Sequence, residues 1–201
     1  MIAREPDLVV CGQAETAAQA LDGINRCQPD LVLMDLSLPG RGGLELTKDL
    51  RALHPALLVL VVSMHDESLF AERVLRAGAL GYIMKQEGPD KMIAAIRHTL
   101  RGEVYVSPKT AGQILSGFGR TRAQAPGTVA DLSDRELEVF QMIGRGLDTH
   151  AIAAQLNLSP KTVDAHRGNI KAKLDVRSST ELICRAARWV ASETQSPTEA
   201  G

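Results

Sequence analysis

Between Leu132 and Leu174 the chain reads LSDRELEVFQMIGRGLDTHAIAAQLNLSPKTVDAHRGNIKAKL, and its caps and apolar spacing admit little besides short helices joined by tight turns. Ser133, with Glu136 three residues on, has the pattern of a capping box, after which Leu137, Phe140 and Ile143 make an inward stripe that Gly146 ends. A second helix, roughly Thr149 to Leu156, turns Ile152, Ala153 and Leu156 inward. Asn157 and Leu158 form the following turn, since Asn tolerates a positive φ. Ser159 then caps a third helix, and Pro160 takes its first position, where a missing N–H costs nothing.

That third helix has two unlike faces. Val163, Ile170 and Leu174, with His166 beside them, fall on the inward side. Lys161, Asp164, Ala165, Gly168 and Lys171, flanked by Arg167, fall on the other. Small residues there let a groove floor approach, and cations suit the phosphates beside it. From Ser159 to Arg177 five cations (Lys161, Arg167, Lys171, Lys173, Arg177) stand against two acids, Asp164 and Asp175. A short helix, a turn and a longer helix with a basic outer face make a helix-turn-helix. A fourth helix is expected to open with a further capping box, Ser178 and Glu181, and to pack through Ile183, Ala187 and Val190. A plain four-helix bundle with a solvated face has the same composition, but the small, cation-flanked face favours double-stranded DNA.

The charge balance makes any such patch local. Twenty-three Lys and Arg against 24 Asp and Glu leave a net charge of −1, so attraction to DNA must come from a modest number of phosphate contacts. The 201 residues are enough for two small domains. Cys11, Cys27 and Cys184 are odd in number, far apart and set among apolar residues, which predicts buried reduced thiols and a cytoplasmic location. No apolar run approaches the roughly 18 to 20 residues of a membrane span, so no membrane is expected as partner.

In the first half, Leu8 to Cys11, Leu31 to Met34, Leu57 to Val62 and Gly81 to Met84 read as buried parallel strands alternating with helical segments, the last of them Lys91 to Leu100. This predicts an α/β fold with a doubly wound parallel sheet, followed by an all-α four-helix domain. Chemistry in such sheets sits beyond the carboxyl ends of the strands. Asp35, Ser63 and Lys85 stand at three of those ends, and Pro39 with Gly40, Gly42 and Gly43 makes a loop able to bend around them. A carboxylate, a hydroxyl and an ammonium together suit phosphoryl chemistry, with Asp35 as nucleophile and Ser63 and Lys85 answering the added charge. Taken singly, each has a plainer reading: a turn cap, a helix cap, a solvated lysine. Glu15, His54, His65 and Asp66 read as surface-loop or helix-start residues, so no second acid or base is in view.

LSDRELEVFQMIGRG and IAAQLNLSPKTVDAHRGNIKAKL resemble the LuxR-type DNA-binding domain of NarL/FixJ response regulators, over about sixty residues, while LVLMDLSLPGRGGLEL, VLVVSMHDE and GALGYIMK resemble their flavodoxin-like receiver domain. The resemblance implies a receiver over 1–103, a linker over 104–130 and the helix-turn-helix domain over 131–193; between the domains the residues themselves read as a short helix at Lys109 to Leu115 and, by their Gly, Pro and small-residue content, a flexible tether at Gly117 to Asp131. It implies Asp35 as phosphoacceptor, with Ser63, Tyr82 and Lys85 as switch residues. It makes Asp164, Ala165 and Gly168 base-facing, gives Lys161, Thr162, Arg167 and Lys171 mostly to the DNA backbone, and counts Val163 in the same DNA-binding segment. Some members carry lysines where this chain has Asp164 and Gly168, so their operator sequences do not transfer. The partners implied are a sensor histidine kinase, DNA and a second copy of the chain bound as a homodimer, with half-sites about 34 Å apart.

The resemblance also implies a strand ending in two acidic residues, followed by a helix, ahead of Leu8; both are missing here. Those acids hold Mg²⁺ in the family, whereas Asp35 and the Ser37 carbonyl alone are too few ligands for it. Three explanations stand: an internal methionine taken as the start of a longer product, which is favoured; a genuine short chain whose sheet closes or borrows a strand; or a regulator independent of phosphorylation, its receiver a structural or dimerisation module. A flavodoxin-like phosphatase using Asp35 is the alternative from another class.

Overall fold

The computed structural model describes residues 2–38, 42–118 and 127–194. They fall into two compact units divided between Arg122 and Ala123. In the first, α1 (Ala17–Cys27) leads into β1 (Leu31–Met34), α2 (Gly43–Leu53) into β2 (Leu58–Ser63), and α3 (Glu67–Arg76) into β3 (Gly81–Met84), with α4 (Pro89–Leu100) and α5 (Pro108–Phe118) following. The three strands form one parallel sheet in the order β1-β2-β3, with Leu31 opposite Leu58 and Leu60 opposite Gly81. Parallel neighbours require crossovers, and α2 and α3 supply them. Side chains alternate across the sheet. Leu60 and Ile83 join Met92, Ile93 and Ile96 of α4 in one buried cluster, while Val59, Val61 and Tyr82, all buried, point to the opposite face.

Local chemistry sets the element ends. The Thr16 hydroxyl accepts from the Gln19 N–H at the start of α1, and Gln28 closes that helix in the left-handed region. Asp66 caps α3 by accepting from the Ser68 N–H at 2.8 Å, and Pro89 occupies the first turn of α4.

The expected strand at Leu8 to Cys11 is not formed. These residues are coil, and Val9 is 89% exposed. Among the described residues no strand other than β2 is hydrogen-bonded to β1, so the segment has no ladder to join. Without a ladder, water is the better partner for its N–H and C=O groups. The segment before it is held differently. Ile2 and Leu8 pack at the rim of the α4 cluster, and the Arg97 guanidinium donates to Asp7 at 2.9 and 2.7 Å and to Glu5 at 2.7 Å. Arg97 thereby holds the Asp7 carboxyl below the usual carboxylate range.

The cysteines are also a correction: Cys11 and Cys184 are exposed and Cys27 is half-buried. Cys11 lies in the segment that did not become a strand, and Cys184 lies on the outward side of the last helix. The expected linker helix runs longer than Lys109 to Leu115 and belongs to the first unit, where α5 packs on α3. Its approach is tied to the sheet, because Tyr105 O accepts from the Tyr82 N–H at 2.8 Å and the Tyr105 N–H donates to Leu80 O at 3.0 Å. Pro39, Gly40 and 119–126 of the expected tether lie outside the described residues.

The second unit contains α6 (Asp134–Gly144), α7 (Thr149–Leu156), α8 (Pro160–Lys173) and α9 (Ser179–Thr194). The capping box at Ser133 and Glu136 forms in both directions, Ser159 caps α8, Pro160 stands in its first turn, and Asn157 takes φ 51° after α7. Leu137, Phe140, Ile143, Ile152, Ala153, Leu156, Val163, Ile170 and Leu174 are all buried as expected. At α9 the expectation holds for Val190, which is half-buried against Gly144, and is corrected at Ile183 and Ala187. Leu182 and Ala186 are buried, whereas Ile183 is 45% exposed and Ala187 is exposed. The helix carries apolar residues on two adjacent stripes, and Gly144 of α6 selects between them. A Cβ on Gly144 would stand 2.5 Å from Ala186 O, so only glycine lets α9 approach in this rotation. Ser178 does cap α9, but the Glu181 carboxylate accepts from the Arg177 N–H and not from Ser178.

Candidate phosphoacceptor site and nucleic-acid interface

Asp35 follows the last residue of β1, Ser63 ends β2, and Lys85 follows β3, so three adjacent parallel strands deliver them to one end of the sheet. Lys85 Nζ donates to Asp35 Oδ2 at 2.5 Å, and the Ser37 N–H donates to Asp35 Oδ1 at 3.0 Å. Both side chains of the ion pair are about a third exposed, open to an incoming group. Behind them α2 begins in close contact. A Cβ on Gly43 would lie 2.1 Å from the Asp35 carbonyl oxygen, so glycine is required there.

Ser63 is fully buried, and its hydroxyl accepts from the His65 N–H at 3.2 Å. Tyr82, also fully buried, donates its hydroxyl to the His65 carbonyl at 2.8 Å. Ser63 and Tyr82 therefore grip the same residue's backbone from both sides. The His65 ring stacks on Phe70 with centroids 5.0 Å apart and lies 3.4 Å from Ser37 Oγ through Nε2. His65 was expected at the surface. It is instead 8% exposed and joins Asp35's neighbour Ser37 to the Ser63–Tyr82 pair. Its place two residues beyond a strand-end hydroxyl was the only signal in the chain for it.

Asp35 brings one carboxylate, already bonded through both oxygens, and no group of three His, Cys, Asp or Glu side chains able to hold a metal occurs among the described residues. Mg²⁺ takes near-octahedral oxygen ligation and is usually held by one or two protein carboxylates besides water and phosphate oxygens.

On α8, Lys161, Thr162, Asp164, Ala165 and Gly168 are exposed, while Arg167 and Lys171 are half-buried. Positions 161, 164, 165 and 168 recur at helical spacing and form one open face. Val163 is fully buried and belongs to the core, which removes it from direct contact with DNA. The basic face also loses Lys173, whose Nζ lies 2.6 Å from Glu136 Oε2. No carboxylate pairs with Lys161, Arg167, Lys171 or Arg177 among the described residues.

The frame under this face is polar and closed. Arg135 donates to Leu156 O at 3.0 Å, tying α6 to the end of α7, and Arg185 donates to Leu174 O at 2.7 Å, capping the end of α8. Burial acts to raise the Glu136 carboxyl, but the Lys173 ammonium and the Ser133 N–H outweigh it and hold the group below the usual carboxylate range. Such a group stabilises the fold above its unfolded value, about 4.3, and that contribution is lost as pH falls through the folded value. The thermal midpoint of the second unit is expected to drop with pH in that acidic window, and Glu136→Gln to flatten the drop while costing about 1 kcal/mol at neutral pH. Parallel acid melts of the two proteins, if superimposable in slope, would show that Glu136 does not carry this effect.

A family model described as the response regulator receiver domain matches residues 1–97, and one described as bacterial regulatory proteins, luxR family, matches residues 130–186. The response regulator GacA of Pseudomonas aeruginosa is 38% identical over 189 residues, covering 94% of this chain and 87% of that protein. The response regulator UvrY of Escherichia coli is 35% identical over 180 residues, covering 89% and 82%. Among solved structures, RcsB from Salmonella enterica serovar Typhimurium bound to promoter rprA superposes with a TM-score of 0.62 at 22% identity, covering 92% of this chain and 89% of that one; the likeness is one of fold.

Proposed function

Because this chain belongs to the NarL/FixJ-type two-component response regulators, with a receiver and a LuxR-type DNA-binding domain, we propose that Asp35 is its phosphoacceptor and that α8 is its DNA-binding helix. The observation that carries the reading is the outer face of α8, whose exposed Lys161 and half-buried Arg167 and Lys171 have no carboxylate partner among the described residues, while Val163 and Ile170 beneath them are buried. Lys161, Thr162, Arg167 and Lys171 meet phosphates, and Asp164, Ala165 and Gly168 meet the groove floor. The partners are double-stranded DNA, a sensor histidine kinase and a second copy of the chain on DNA, and the chain works in the cytoplasm. The receiver is assigned to 1–103, the linker to 104–130 and the output domain to 131–193.

In the receiver, an Asp35 carboxylate oxygen attacks the phosphorus of a phosphohistidine. The P–N bond breaks, the imidazole leaves and takes up a proton, and an acyl phosphate remains. Lys85 turns from the carboxylate to the new phosphoryl oxygens. The Ser63 hydroxyl, which accepts from the His65 N–H, turns to the same charge and loosens the backbone that Tyr82 also holds. This is how phosphate on Asp35 reaches β3 and, through the Tyr82–Tyr105 backbone bond, the start of the linker.

Receivers of the family generally take Mg²⁺ for phosphorylation, and the single carboxylate at Asp35 predicts that this 201-residue chain is modified poorly. Incubation with acetyl phosphate and Mg²⁺, read by intact mass, is expected to leave most molecules unmodified; stoichiometric modification at Asp35 would contradict that. The DNA reading is tested by fluorescence anisotropy with a labelled duplex. Saturable binding that weakens steeply as salt rises is expected, and absent or salt-independent binding would count against it.

A further inference from the structure

Asp164 is out of place on a face made for phosphates. It is exposed, one turn from Lys161 on one side and near Arg167 on the other, yet no cation pairs with it among the described residues. Its partner is the Thr149 hydroxyl from the first turn of α7, which donates to Asp164 Oδ1 at 3.3 Å. Thr149 is itself fixed, because the preceding residue, Asp148, caps α7 by accepting from the Ala151 N–H at 2.8 Å. One carboxylate oxygen is thus tied back across the helix-turn-helix, and Oδ2 remains available on the exposed side.

A carboxylate facing DNA is repelled by phosphates unless it meets a base donor. The major groove offers two such donors, adenine N6–H₂ and cytosine N4–H₂. In an A·T pair the donor lies between two acceptors, adenine N7 and thymine O4. In a G·C pair it has an acceptor, guanine O6, on one side and the cytosine C–H edge on the other. An acceptor-only group is therefore repelled from both sides at adenine and from one at cytosine. Beside Asp164, Ala165 is small and Gly168 has open space where a Cβ would stand, so the helix can approach closely enough for a short side chain to reach the base edge.

We infer that Asp164, oriented by Thr149, is a specificity-determining residue that selects a cytosine at one position of each half-site. The inference rests on α8 being the DNA-binding helix. Selection of bound duplexes from a randomised library by the full chain, followed by sequencing, tests it. The wild type and Thr149→Ser are expected to enrich one cytosine about tenfold over other bases. Asp164→Ala loses that enrichment, Asp164→Asn shifts it toward adenine, and Thr149→Val, which keeps the shape and removes the hydroxyl, weakens it while overall affinity changes little. A wild-type motif that Asp164→Ala reproduces unchanged would overturn the inference and leave the DNA-binding reading standing. Failure of the wild type to enrich any sequence, with binding absent by anisotropy, would overturn both.

Discussion

Gly144→Ala is expected to unfold the second unit at temperatures where the wild type is stable. Glycine to alanine inside a helix ordinarily stabilises by roughly 0.5–1 kcal/mol. Here the new Cβ would sit 2.5 Å from Ala186 O and 2.6 Å from Val190 Cγ2. The first of these is backbone and cannot rotate away, so α6 and α9 must separate, and Leu182 and Ala186 lose their burial. Overpacking of this kind outweighs the helix gain and costs about 3 kcal/mol. For a unit this small that lowers the thermal midpoint by on the order of 15 °C. Gly168→Ala supplies the contrast, since nothing stands within 4 Å of its Cβ position; it should raise the midpoint by a few degrees, on the order of 1 kcal/mol. Circular-dichroism melts of both variants read the opposite signs. Equal shifts in the same direction would mean that the α6–α9 approach at Gly144 is not as close as described.

The second large effect concerns DNA. Lys161→Ala with Lys171→Ala should weaken duplex binding at low salt by on the order of tenfold for each lysine–phosphate interaction removed. It should also reduce the slope of log affinity against log salt by about 0.9 for each phosphate no longer neutralised. Lys173→Ala is the control, because Lys173 is paired with Glu136 beneath the helix. That substitution should lower stability and leave the salt slope nearly unchanged. If instead Lys173→Ala reduces the slope as much as the double variant does, the basic face extends past the end of α8 and Lys173 belongs to it.

The output domain was largely legible in the chain because its information is local. Ser133 with Glu136, Asn157, and Ser159 before Pro160 fix helix ends within a few residues, and the buried stripes of α6, α7 and α8 follow from periodicity. The stripe of α9 was not, since Leu182 and Ala186 compete with Ile183 and Ala187 one residue away. The contest is decided by Gly144, far upstream on another helix. In the receiver, β1, β2 and β3 and the residues at their ends, Asp35, Ser63 and Lys85, stood out as apolar runs ending in polar groups. Leu8 to Cys11 has the same look, but a strand exists only if a neighbour pairs with it, and composition does not reveal the neighbour. His65 was missed for a related reason. A histidine after a strand reads as loop until Phe70, Ser37 and Tyr82, from three other parts of the chain, close around it.

Whether DNA binds at the exposed face of α8 is tested most directly by amide chemical-shift mapping of the full chain during titration with a duplex. The largest shifts are expected on Lys161, Thr162, Asp164, Ala165 and Gly168, with Val163 and Ile170 following only as neighbours. Shifts centred on the outer side of α9, around Ile183 and Ala187, or on the end of the sheet at Asp35, with α8 unmoved, would contradict that placement.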